Sequence, residues 1–548
     1  MRDIPWLSGQ PPAMRLEGHY GDRVIDCFVE RPMGLFDLFA QAVARNPHGE
    51  AIAFEQERIT WRELDRRVRN VAGGLASSGI ERGDRIGLFV GNRPEFVIAI
   101  FAAAQLGAII VPLGIRQQRD EIAYALNDCS AKVLIHDGEL ADRIPDPDQV
   151  PSLRYRFSVG SSAAAVPFDA LFVGERASAL FAATGDEDTA VILYTSGTTG
   201  RPKGAMLTNL NIVNSALAYE HCMNLRQEER CLVAVPLSHV TGLIAGVAAA
   251  ARCACTLIIM PSFRAADFLA LAAAERMTYT LMVPAMYNLC LLQPDFDRFD
   301  LSAWRVGGYG GAPMPPATIA AFAQRLPNLL LMNTYGATET TSPTTIMPPE
   351  FTATHPGKVG VPIPGTKTVI MDDHGSEVPR GDVGEIWIGG ASVVRGYWNN
   401  SAATQKEFTG GFWHSGDLGS VDADGFVSVL DRKKDMLNRG GHKIYTAEVE
   451  AVLAAHEDVV ESAIVGRPCP VLGERVHAYV VTRSPETEAE SLRRYLAERL
   501  SDYKVPETMH LSTEPLPRNS NGKVLKRELR RRLIEHLAAA DGPLLTRG

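Results

Sequence analysis

Between residues 35 and 327 the chain keeps alternating helix-length stretches, such as 61–77, with short apolar runs at 84–90, 132–135, 255–260 and 279–283. Runs this short and this uniformly apolar fit strands buried on both faces, so parallel sheets covered by helices are expected. The pattern changes after residue 357. Strand-like runs at 367–371, 384–388 and 426–430 are now separated by turn sequences, Asp372-Asp373-His374-Gly375 and Asp422-Ala423-Asp424-Gly425, which predict a β-rich subdomain over about 357–430. A charged knot, Arg432-Lys433-Lys434-Asp435, then leads into a unit with helix-like 447–455 and 489–500 and strand-like 459–465 and 476–481. The expected division is a large α/β domain, 1–431, and a small α+β domain, 432–548. A chain of 548 residues exceeds the size at which one core stops growing.

Directly behind the apolar run 190–193 stands Thr195-Ser196-Gly197-Thr198-Thr199-Gly200-Arg201-Pro202-Lys203-Gly204. Glycines let several backbone N–H groups turn toward one anion, hydroxyls add movable donors, and a lysine adds a full charge. A helix-like stretch follows at 210–218, so the context is that of a phosphate loop. It is not a Walker loop, because the lysine follows Pro202 and Gly204 replaces the magnesium-binding hydroxyl.

The net charge of −9 argues against a general nucleic-acid binder. The concentrated basic run, 523–532, reads as the solvated face of a terminal helix. Eight cysteines are scattered without a CxxC pair, and Cys253 and Cys255 sit in an apolar context, so buried thiols in a reducing, cytoplasmic setting are expected. No signal peptide is visible at the N terminus. Residues 96–115 are long and apolar enough to cross a bilayer, but Gly107 and Pro112 divide them into a helix ending near Leu106 and a short buried strand, so no transmembrane segment is expected.

Five further segments stand in order: Pro236-Leu237-Ser238-His239, Gly310-Gly311-Ala312-Pro313, Tyr335-Gly336-Ala337-Thr338-Glu339, Ser415-Gly416-Asp417 with Arg432, and Asn521-Gly522-Lys523. With the phosphate loop they make the chain resemble, from about residue 30 to 535, the adenylate-forming superfamily, which includes acyl-CoA synthetases, peptide-synthetase adenylation domains and firefly-type luciferases. The resemblance implies a large domain with two parallel-type sheets and a small mobile C-terminal domain. It also implies the chemistry: a carboxylate joins ATP as acyl-AMP with release of pyrophosphate, and the acyl group passes to a thiol.

By that resemblance residues 195–203, including Thr195, Ser196, Gly197, Thr198, Thr199, Gly200 and Lys203, hold the β- and γ-phosphates. Thr338 contacts the α-phosphate and Glu339 binds Mg²⁺. Tyr335 offers adenine a flat face beside Gly311, Ala312 and Pro313, while Asp417 accepts the ribose hydroxyls and Arg432 adds a donor. Asp431 stands where the family commonly has glycine, and Lys434 occupies the hinge position. Lys523 reaches from the small domain to bridge the substrate carboxylate and the α-phosphate. An ammonium and a phosphate charge about 4 Å apart attract by roughly 4 kcal/mol at an effective dielectric constant near 20. Gly441, in Gly440-Gly441-His442-Lys443, leaves room for a pantetheine thiol. No carrier-protein segment is visible, which favours free coenzyme A as acceptor.

Gly336 replaces the tryptophan that seals the acyl pocket in acetate-activating relatives, so acids larger than acetate are expected. The apolar runs 241–251 and 282–292, with Met286, Tyr287 and Leu291, suggest an apolar tunnel with His239 as its gate, suited to a medium- or long-chain fatty acid or an aryl acid. Three other readings stay open: a luciferase-like oxidoreductase, an adenylation enzyme that loads a carrier-protein thiol, and a non-catalytic nucleotide or acyl binder.

Overall fold

The computed structural model describes residues 6, 9, 12–163, 165–172, 184–195, 201–518 and 524–540. Residues 196–200 and Lys523 lie outside the described residues. The chain divides into two compact units, one of Met1–Val369, Trp387–Ser415 and Asp422–Val427, the other of Ile370–Ile386, Gly416–Val421 and Ser428–Gly548.

Two sheets organise the larger unit. The first orders its strands Lys203–Thr208, Thr189–Thr195, Ile109–Pro112, Arg85–Phe89, Val133–Asp137, Tyr155–Val159, Val166–Pro167. The second runs Lys358–Pro362, Thr345–Ile346, Leu330–Tyr335, Val306–Gly310, Tyr279–Met282, Arg230–Val233, Thr256–Ile259, Glu50–Phe54, Glu57–Thr60. Most interior pairings are parallel, as the alternation predicts.

Local chemistry sets the helices. Trp61–Ser77 starts where the Thr60 hydroxyl accepts from Glu63 N at 3.2 Å, and it buries Trp61, Leu64, Val68, Val71 and Leu75 at helical spacing. Pro94–Leu106 begins with proline and ends on Gly107 at φ 65°, a left-handed C-terminal stop. It is buried nearly all round, which explains its membrane-like composition, and strand Ile109–Pro112 follows it into the sheet. Among the described residues no helix is long and apolar enough to span a membrane. All eight cysteines are unpaired, and seven are buried.

Residues 366–432 form strands Thr366–Met371, Gly384–Gly390, Phe412–Val421 and Val427–Arg432. In the smaller unit a sheet orders His442–Ile444, Leu437–Arg439, Gly473–Thr482 and Val459–Cys469, with Thr508–Ser512 parallel to Gly473–Thr482. Helices Thr446–Ala454 and Ala489–Ala497 bury Val449, Leu453, Leu492 and Leu496 in one core cluster with strand residues Ile464, Val476 and Ala478.

Candidate active site

In the larger unit, Arg230–Val233, Tyr279–Met282, Val306–Gly310 and Leu330–Tyr335 are neighbouring parallel strands, so the segments after them leave from one edge. Those segments bear His239, the 311–313 turn and residues 336–339. The carboxyl edge of such a sheet is where the diverging connections open a crevice for ligands. Gly310 lies opposite Thr334, and a Cβ there would sit 2.2 Å from the Thr334 carbonyl oxygen, so only glycine fits the close approach. Gly311 is required for another reason. Its φ is +80°, and a Cβ there would find its nearest neighbour, Val283 Cγ1, 3.7 Å away, so conformation selects it, not crowding. Ala312 and Pro313 are exposed and Tyr335 is half-buried. A Cβ on Gly336 would stand 3.1 Å from Thr344 N and 3.2 Å from Pro343 Cα, so a large side chain there would displace the adjoining backbone.

Glu339 occupies the 3-10 turn Thr338–Thr340 and is only 8% exposed. Its Oε1 accepts from Tyr397 Oη at 3.0 Å and from Thr195 Oγ1 at 3.4 Å. Tyr397 Oη also hydrogen-bonds Glu407 Oε2 at 2.6 Å, and Lys203 Nζ meets both Glu407 oxygens at 2.6 Å while lying 4.3 Å over the Tyr397 ring. Loss of water raises the Glu339 pKa above the usual carboxylate range, against the pull of Tyr397 and Lys203. Burial, and then the Glu339 charge, push the Tyr397 phenol up. Lys203, assigned by the sequence to the phosphates, is here committed to Glu407. Thr338 stands beside Glu339, half-buried.

His239 is exposed, and desolvation by the neighbouring protein lowers its pKa. Thr241 N donates to its Nδ1 at 3.3 Å, which assigns the ring proton to Nε2. The following π-helical segment Thr241–Ala248 is wide-turned, and Gly242 lets it approach Pro236 O, which a Cβ would meet at 2.3 Å. Its residues from Gly242 onward are buried in the main core. Tyr287 stacks on Trp304 at 5.9 Å, meets Phe322 edge-on at 5.4 Å and hydrogen-bonds Gly308 O at 2.8 Å. Tyr287 is therefore a core residue, and residues 242–251 are largely buried beside it in the main core cluster.

The smaller unit brings its two ribose-assigned residues together: Asp417 Oδ1 lies 2.8 Å from Arg432 Nε. Lys433 pairs with Asp373 at 2.7 Å and Glu385 at 3.2 Å, while Lys434 is exposed. Asp431 is buried; it accepts from Thr446 N and, at 2.9 Å, from Thr446 Oγ1, so it caps helix Thr446–Ala454 from outside. Burial raises its carboxyl and Lys526 opposes that rise. Gly441, at φ +92°, turns the chain between Leu437–Arg439 and His442–Ile444 with open space where a Cβ would be.

Tyr397 and Glu407 were not found from the sequence. An aromatic pair after glycine, Gly396-Tyr397-Trp398, marks the first; Glu407 looks like an ordinary acidic residue of a short helix, Ser401–Glu407. Elsewhere, Glu17, His19 and Cys27 cluster with metal-ligand spacing. The Glu17 oxygens are already taken by Arg31 at 2.9 and 2.6 Å and Arg15 at 2.6 Å, so the cluster is an ion-pair network. A shallow depression beside Arg93, Ser158 and Gly160 has its cation neutralised by Glu95 at 2.9 Å and Asp137 at 3.0 Å.

Residues 39–398 match the AMP-binding enzyme family and 448–523 match the AMP-binding enzyme C-terminal domain. A feruloyl-CoA synthase of Amycolatopsis sp is 34% identical over 503 residues, covering 92% of this chain and 99% of the relative. The long-chain-fatty-acid–CoA ligase FadD13 of Mycobacterium tuberculosis is 32% identical over 476 residues, covering 86% and 93%. The solved O-succinylbenzoate coenzyme A synthetase (MenE) from Bacillus subtilis, in complex with ATP and magnesium ion, superposes with a TM-score of 0.80 at 28% identity, covering 90% of this chain and 99% of that one. With the family matched over most of its length, and three of its motif segments leaving one sheet edge, the chain belongs to the AMP-binding enzymes.

Proposed function

We propose that the chain is an AMP-forming acid–thiol ligase that joins a carboxylic acid larger than acetate to ATP, releases pyrophosphate and transfers the acyl group to coenzyme A. The observation that carries this reading is the buried Glu339, with Thr195 and Tyr397 around it, at the carboxyl edge that also bears His239 and the 311–313 turn. Two anions must meet for the first step, and a preorganised polar edge, joined by a bound cation and the Lys523 ammonium, lowers that repulsion. Tyr335 and the 311–313 turn provide the surface for the base, Thr338 a donor for the α-phosphate, and Asp417 with Arg432 the ribose contacts.

Mg²⁺ fits the donors present: an all-oxygen set centred on a carboxylate whose burial favours a cation, with the Thr195 hydroxyl beside it. When bound, the ion would neutralise phosphate charge. Lys523, delivered by a small mobile domain of 432–548, serves acyl-AMP formation, and Gly441 leaves space for the thiol in the second half-reaction. Feruloyl-CoA synthase and FadD13 support an aryl or long-chain acid, and His239 with its Nε2–H borders the recess that receives it. The unpaired thiols accord with a cytoplasmic setting.

The test is pyrophosphate release with butyrate, palmitate, benzoate, cinnamate and ferulate, each with and without coenzyme A. The expected result is acid-dependent pyrophosphate and AMP, with acyl-CoA appearing when coenzyme A is present. Light or oxygen consumption would favour the oxidoreductase reading, and thioester formation only on a carrier protein would favour the loading enzyme. Absence of labelled pyrophosphate exchange into ATP with every acid would overturn the proposal.

A further inference from the structure

The residues on either side of segment 519–523 are held by two carboxylates of the smaller unit. On the incoming side, Glu461 on strand Val459–Cys469 accepts from Leu516 N at 2.9 Å and pairs with Arg518. On the outgoing side, Lys526 Nζ lies 2.6 Å from Glu450 Oε1 and donates to Thr446 Oγ1 at 2.8 Å. Glu450 is itself fixed, accepting from Ile464 N at 2.7 Å. Thr446 uses its one hydroxyl hydrogen on Asp431, so a continuous chain runs from Lys526 through Thr446 to the residue before Arg432.

The two feet are also stapled to each other. Arg518 and Val524 form an antiparallel bridge, and Leu525 N donates to Pro517 O at 2.8 Å. Leu516 on one side, and Leu529 and Leu533 on the other, bury into one cluster with Ala463, Val465 and Val481. Lys523 is bonded directly to Val524. Val524, the residue that follows Lys523 in the sequence, is therefore fixed by the bridge and packed against the apolar cluster.

We propose that Glu461 and Lys526 are positioning residues for acyl-AMP formation: they hold the feet of the segment that bears Lys523, so that its ammonium is presented from a fixed base. This rests on the reading of Lys523 given above. Neither residue touches the reacting atoms. Their contribution is to fix the residues that flank the lysine, and misplacement of a catalytic group by about 1 Å costs up to roughly 10²-fold. The segment's anchors all belong to the smaller unit, so they travel with it.

The experiment uses the full-length enzyme with the best acid of the panel above and follows two half-reactions, pyrophosphate release and attack of coenzyme A on supplied acyl-AMP. Glu461→Gln and Lys526→Met are each expected to lower kcat for the first by about 10-fold, with KM for ATP and the second half-reaction within about twofold of wild type; Lys526→Arg should restore most of the loss. In a Lys523→Ala background the same substitutions should add less than about twofold, because the group they position is gone. A purely structural role would damage both half-reactions and multiply with Lys523→Ala, and either result overturns the inference. If Lys523→Ala alone leaves acyl-AMP formation intact, the reading of Lys523 falls, and the positioning role with it; if it abolishes that step while the clamp variants behave as wild type, only the clamp falls.

Discussion

The two units support their candidate catalytic groups in opposite ways. In the larger one, Glu339, Tyr397 and Lys203 are almost closed to water and linked by short hydrogen bonds through Glu407. In the smaller one, Glu461, Glu450, Lys526 and Arg518 keep between 19% and 43% of their side-chain surface. Buried charges are stabilising only while every partner is present, and losing one costs about 3–5 kcal/mol. Solvent-touched pairs are each worth about 0–1 kcal/mol and can be remade. A cation seat benefits from the first design because it should not reorganise. For the proposed role of Lys523, the flanking residues are held by pairs that water reaches.

The hardest blow to this contrast is Lys523→Ala. Removal of one preorganised charge donor should slow acyl-AMP formation by about 10²- to 10³-fold and spare attack of coenzyme A on supplied acyl-AMP. Equal loss in both half-reactions would mean that the lysine does not belong to one step.

Acid exposes a weakness of the smaller unit. His477 is buried, with Nδ1 on Thr508 Oγ1 at 2.7 Å and no partner for Nε2, and desolvation, with His510 and Arg467 nearby, lowers its pKa from 6.5 to about 4. Because the folded value lies below the unfolded one, stability is complete above about pH 6.5 and falls as pH drops toward 4, by roughly 3 kcal/mol in all. Amide exchange of strands Val459–Cys469 and Gly473–Thr482 between pH 7 and 4 measures it. His477→Gln should flatten the slope; an unchanged slope would assign the acid sensitivity to other groups.

A smaller effect reports on the buried side. Tyr397→Phe removes the hydroxyl shared by Glu339 and Glu407, and acyl-AMP formation should lose about 10-fold in kcat/KM for MgATP, with the Mg²⁺ requirement shifted upward. Wild-type Mg²⁺ dependence would show that Glu339 is held without the phenol.

What the sequence disclosed and what it hid follow the same division of causes. The 310–313 and 335–339 motifs were legible through their resemblance to the family's ordered signatures, and Gly310 against Thr334 gives the backbone reason for one of their glycines. The strand after Leu106 was legible because Gly107 and Pro112 interrupt the apolar run. Glu407 was not, since a helix ending in Lys406 and Glu407 reads as a solvated face and nothing links it to Lys203 across 204 residues. Tyr287 misled because apolar composition is the same for a core and for a pocket wall. The hairpin Met14–His19 with Arg23–Phe28 was missed outright, although Arg23 donates to Val394 O at 3.0 Å and so supports the segment leading to Tyr397.

Asp431 gives the finest test of the adaptable side. Read from the sequence it is an odd residue at a hinge; in the structure it is the cap of helix Thr446–Ala454 and the far end of the chain from Lys526. Asp431→Ala should therefore destabilise the smaller unit by about 1 kcal/mol, in the range of a lost cap, seen as faster amide exchange in residues 446–454. Glu450 still holds Lys526 in this variant, so acyl-AMP formation should fall by no more than a few-fold. Asp431→Ser, which keeps a capping oxygen but no charge, should recover the exchange protection. Protection that stays low in the serine variant would show that the carboxylate acts on Lys526 by charge, and would move Asp431 from the helix end to the clamp.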